Sequence, residues 1–152
     1  MIYRELHIPK YDWLVHIYYH VTCYWVNEIM DCLEGIGCPP DKLAESYRNL
    51  TACKLNTGLT YSNYRTRESV MVISKTSSPE EFSNSIMHEC RHLIDHLATV
   101  YKMHQGGEDV AYLAGYIGGK LFKDIQMFIC NCNCHKHQKE KLCGRTRKRY
   151  RN

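Results

Sequence analysis

Residues 88–92 read His88-Glu89-Cys90-Arg91-His92, and their surroundings place this H-E-x-x-H inside one helix. Ser78 followed by Pro79, Glu80 and Glu81 has the make-up of a helix start: a capping hydroxyl, a proline suited to the first turn, and acids against the positive dipole end. Ile86, Met87, Cys90, Leu93, Ile94 and Leu97 then recur at helical spacing, an apolar stripe expected to pack inward. His88 and His92, four residues apart, share a face to one side of that stripe. Two imidazoles so placed can bind one Zn²⁺, and Glu89 falls beside the open coordination position, where a carboxylate can accept a proton from water and pass it to a leaving amine. The reaction class this suggests is peptide hydrolysis.

A catalytic zinc site takes three protein ligands and one open position. His96 continues the i+4 series, but eight residues, about 12 Å of helix rise, separate it from His88. Glu108 is the better candidate. Gln105-Gly106-Gly107 marks a break and a second apolar-periodic segment starts directly after it, so a chain that folds back can carry Glu108 toward the histidines, provided the motif helix stops or bends within about two turns of His92. Ala111, Gly115 and Gly119 form a face of small residues on that second segment and predict close approach of the two helices.

The stretch from His88 to Gly119 resembles the gluzincin group of zinc metallopeptidases, of which thermolysin is the familiar member: an H-E-x-x-H, a short loop, and a helix bringing a glutamate. The run Glu108-Asp109-Val110-Ala111-Tyr112 is also similar to the E-x-x-A-Y of small bacterial and phage-type zincins. The resemblance implies His88, His92 and Glu108 as zinc ligands and Glu89 as the general base. It departs from the pattern at Arg91, at the short gap before Glu108, and at Tyr112, where thermolysin has an acid. Tyr112, His96, Tyr116, Tyr101 and His104 each have a donor that could hold the oxyanion, and the sequence does not choose among them.

Length bounds the architecture. With 152 residues and 44% hydrophobic content, the chain is sized for one domain with a true core. The expectation is an α+β, zincin-like single domain over residues 1–134, a small sheet packed with the motif helix and a following long helix, and a basic, disordered tail over 135–152. That tail holds eight Lys or Arg against one Glu, a balance of +7, while residues 1–134 hold 12 against 15, or −3. A run such as Arg145 to Arg151 can contact nucleic-acid phosphates nonspecifically. Cys130, Cys132, Cys134, His135, His137 and Cys143 are potential ligands for a second metal, though without paired C-x-x-C spacing. The nine cysteines do not resemble a secreted disulfide framework, and no secretory signal or long uncharged apolar run is evident, so the expected setting is cytoplasmic, with no membrane partner.

Asp12 to Val21 reads as a strand, 23–35 and 40–50 as helices, and Leu55 to Tyr64 with Glu68 to Ser74 as a strand pair. Because zincin-like enzymes lay an extended substrate along an edge strand above the motif helix, 68–74 is nominated for that edge, although its continuous apolar run reads equally as a buried strand. The functional expectation is a zinc metallopeptidase acting on a peptide or protein substrate. Two alternatives differ in class: an inactive zincin-like protein that binds a partner, or nucleic acid through its tail, and a metal-dependent hydrolase of non-peptide substrates.

Overall fold

A computed structural model describes residues 1–52 and 58–130. The basic tail and the cysteine–histidine run beyond Cys130 lie outside the described residues. The first strand, β1 (Ile2–Ile8), is followed by a turn of 3₁₀ helix at Pro9–Tyr11 and by Asp12, whose left-handed backbone (φ 46°) reverses the chain into β2 (Trp13–Val21). Pro9 suits the turn because its ring presets φ, and Asp tolerates the left-handed region better than a branched residue would. β1 and β2 pair antiparallel from Ile2 opposite Tyr19 to Ile8 opposite Trp13.

Two helices follow, α1 (Val26–Gly35) and α2 (Pro40–Thr51), separated where Gly37 (φ 78°) and Pro39 interrupt helical geometry. A hairpin comes next, β3 (Gly58–Asn63) and β4 (Glu68–Ser74), closed by the Asn63 side chain accepting from the amides of Arg65 and Thr66. The sheet order is β1-β2-β4-β3, with β4 parallel to β2 and antiparallel to β3. Strand β4 is therefore interior, and the nomination of 68–74 as the edge is corrected: β3 is the edge on that side. The continuous apolar run Val70-Met71-Val72-Ile73 reflects burial of both faces of an interior strand.

Alternation sorts the sheet's side chains into two cores. Trp13, Val15, Ile17, Tyr19, Met71 and Ile73 face one way, and Tyr18, Val70 and Val72 face the other, against Ile29 and Leu33 of α1 and Leu50 of α2. The first face is covered by α3 (Pro79–Val100) and α4 (Glu108–Ile129), which makes the molecule a helix–sheet–helix sandwich of α+β class. Among the described residues no helix is long and apolar enough to cross a membrane.

Helix α3 begins as its sequence predicts. Ser78 Oγ accepts from the Glu81 amide at 3.2 Å, and the Glu81 carboxylate accepts from the Ser77 amide at 2.8 Å. The helix then runs unbroken to Val100, eight residues past His92, slightly beyond the two turns the sequence argument allowed. Left-handed Lys102 (φ 52°) lies in the reversal, and Gly107 caps α4. Contact between the two helices is made by large residues, Val110, Leu113, Ile117 and Leu121 of α4 packing with Ile86, Leu93, Ile94 and Leu97 of α3. The expected close approach through small residues is not what holds the pair: a Cβ built at Gly115, Gly118 or Gly119 would meet nothing within 4 Å. Met87, counted in the inward stripe, is 70% exposed.

Candidate metal and catalytic site

The motif residues separate by their angle around α3. At about 100° per residue, Ile86, Leu93 and Leu97 turn into the core, while Glu89 and His96 turn toward β3. On β3 the period of two sends Leu59 and Tyr61 to the core beneath α1 and α2, and sends Gly58, Thr60 and Ser62 toward α3. Two matched contacts result, Thr60 on Glu89 and Ser62 on His96.

His88 and His92 project from the exposed flank with their Nε2 atoms 3.1 Å apart and their rings nearly perpendicular. The contact is a hydrogen bond between the two rings, and its length is close to the roughly 3.3 Å that separates two nitrogens bound to one tetrahedral zinc. Glu89, by contrast, is only 2% exposed. Thr60 Oγ1 donates to its Oε2 at 2.8 Å and reaches its backbone carbonyl at 3.3 Å. An ionisable side chain in the core keeps its place only with such partners. The edge strand comes in close enough here that a Cβ at Gly58 would lie 2.0 Å from the Val72 carbonyl oxygen and 3.0 Å from Glu89 Cγ.

Cys90, the first variable residue of the motif, has its thiol pushed up to about 12 by burial and then by the neighbouring Glu89 charge. It remains a thiol at neutral pH in the metal-free protein. Arg91 pairs with Asp95 at 2.9 Å along the exposed helix surface, the ordinary i,i+4 arrangement. Of the described cysteines, Cys32, Cys38 and Cys90 are free thiols, and Cys23 is disulfide-bonded.

His96 ends a hydrogen-bonded chain that crosses the sheet. Trp13 Nε1 donates to Ser69 Oγ at 2.8 Å, Ser69 Oγ lies 2.6 Å from Ser62 Oγ, and Ser62 Oγ lies 2.8 Å from His96 Nδ1. An indole N–H can only donate. If Ser69 donates to Ser62, and Ser62 to His96, every proton in the chain has an acceptor. The opposite polarity leaves the hydroxyl proton of fully buried Ser69 unplaced, an unfavourable arrangement by about 1–3 kcal/mol. The favoured pattern makes Nδ1 an acceptor and puts the proton of the neutral ring on Nε2. Burial, then the nearby His92, hold the His96 imidazole below its usual value, which keeps it neutral. Ser69→Ala, which strands the Trp13 N–H, is expected to lower stability by on the order of 1–2 kcal/mol in urea titration.

The remaining residues singled out in the sequence lie elsewhere. Tyr112 (73% exposed) and Tyr116 line a cavity with Ile8 to Tyr11, beside β1 at the sheet edge opposite β3. Tyr101 donates its hydroxyl to the Tyr11 carbonyl at 2.5 Å. His104 lies against Gly106 and Gly107 in the reversal. Glu108 is the first residue of α4 and does not stand with the histidine pair; among the described residues no group of three His, Cys, Asp or Glu side chains is assembled around one point. The residues that sequence reasoning missed are Gly58, Thr60 and Ser62. Their signal was there as a small-or-hydroxyl alternation along one face of a strand. No family model, curated protein or solved structure matches the chain.

Proposed function

We propose that this chain is a zinc-dependent peptidase of zincin-like design, with His88 and His92 as ligands and Glu89 as general base. The observation that carries the reading is the convergence of two imidazole Nε2 atoms at 3.1 Å on the residues flanking a buried carboxylate. A bound zinc supplies Lewis acidity, polarising a carbonyl and easing deprotonation of water. Glu89, its Oε2 held by Thr60, takes the proton of the attacking water and returns it to the departing amine. Peptide and water give one carboxylate and one amine. Strand β3, which faces this helix through Thr60 and Ser62, is the sheet edge among the described residues and offers a backbone along which an extended peptide can align.

Protein purified without added metal is expected to contain about one zinc per chain, and the His88→Ala, His92→Ala double variant is expected to lose it, as read by elemental analysis. Full zinc retention in that variant would move the metal elsewhere and end the proposal. The third ligand that the resemblance assigns, Glu108, requires the first turn of α4 to close toward the pair. Zinc affinity at fixed pH tests it: a loss of tenfold or more in Glu108→Ala places that carboxylate in the shell, and unchanged affinity removes it. His96→Ala is expected to leave zinc affinity nearly unchanged, because the favoured polarity of its chain protonates Nε2.

A further inference from the structure

We propose that His96 presents its Nε2–H as the hydrogen-bond donor to the substrate carbonyl oxygen that reacts at the His88–His92 pair. The inference rests on the hydrolase reading and adds the group that holds the developing negative charge. Of the five donors open on sequence grounds, Tyr112 and Tyr116 sit beside β1, Tyr101 spends its hydroxyl on the Tyr11 carbonyl, and His104 packs in the reversal. His96 stands beside one member of the pair, its ring stacked 6.5 Å from that of His92.

Three features suit it to the task. Its Nδ1 is occupied by Ser62, so the ring is oriented from the sheet side and Nε2 is left without a partner among the described residues. The Tyr64 ring, 5.8 Å away, flanks it. The chain back through Ser69 to Trp13, anchored in the core, selects the tautomer in advance. A donor held in place before charge develops gains most, because little reorganises at the moment of reaction.

The experiment has two arms. Nitrogen-15 spectra of the histidines report the tautomer directly, with no need for zinc or substrate. The wild-type protein should show His96 in the Nε2–H form, and Ser62→Ala should erode that preference. In the second arm, acetohydroxamate, a small zinc ligand with one carbonyl oxygen, is titrated into zinc-loaded protein. Binding should weaken up to about tenfold in His96→Ala at unchanged zinc affinity, with partial recovery in His96→Gln, which restores a donor. On any peptide that is cleaved, His96→Ala should lower kcat by roughly 10²–10³ with KM little changed.

An Nδ1–H tautomer in the wild type, or hydroxamate bound equally well by His96→Ala, overturns the proposal while the zinc reading stands. A protein that takes no zinc at the pair fails the hydrolase reading itself and removes the proposal with it.

Discussion

Glu89→Gln is expected to keep zinc and fold while losing at least about 10² in hydrolysis, the usual scale of general acid–base assistance. The substitution suits the site because glutamine has nearly the same shape, and its amide oxygen can still accept from Thr60 Oγ1, so the 2.8 Å contact survives. What disappears is the capacity to take a proton. Since Glu89 is 2% exposed, a change of shape would disturb the core; Glu89→Ala would confound chemistry with packing, whereas the amide separates them. The measurement is kcat for any peptide the parent cleaves, beside zinc content and melting temperature. Undiminished turnover with zinc in place would exclude Glu89 as the base.

Gly58→Ala carries the largest expected effect on stability. The added methyl would sit 2.0 Å from the Val72 carbonyl oxygen and about 3 Å from two carbons of Glu89, and neither neighbour is free to yield. The first belongs to the backbone of interior strand β4, the second to the buried motif residue. Strand β3 must move outward, loosening its pairing with β4 and pulling Thr60 away from the carboxylate. We expect a loss at or above the upper end of the roughly 1–3 kcal/mol typical of overpacking, a fall in melting temperature of about 5–10 °C. Activity should fall further than stability alone accounts for, because Glu89 loses its anchor. A melting temperature within a degree of the parent's would show that the edge strand does not approach the motif helix as described.

Local features were legible in advance. The cap at Ser78, Pro79 and the two acids mark the start of α3 because a helix terminus must satisfy its own free amides, a need met within four residues. Strands β2 and β4 and helices α1 and α2 follow from patterns of similar range, and the i,i+4 spacing alone puts His88 and His92 on one face. β1 was missed although Ile2, Leu6 and Ile8 show the right parity, because seven residues beside a proline make a weak local signal.

Strand order was decided only in the folded chain. An apolar run such as Val70 to Ile73 says that both faces are covered, and nothing in it says which strands lie on either side; that depends on β2 arriving from some fifty residues earlier. With β4 drawn inside, β3 became the edge, and its Thr60, Ser62 and Gly58 became the partners of Glu89 and His96. The same holds for α4: its glycines permit close packing, but Val110, Leu113, Ile117 and Leu121 set where the helix rests and hence where Glu108 begins. The histidine pair and the carboxylate of the motif were written in five consecutive residues. Their supporting contacts come from strands far away in sequence, because a buried carboxylate and a half-buried imidazole need hydrogen-bond partners that their own helix, its backbone already paired, cannot provide.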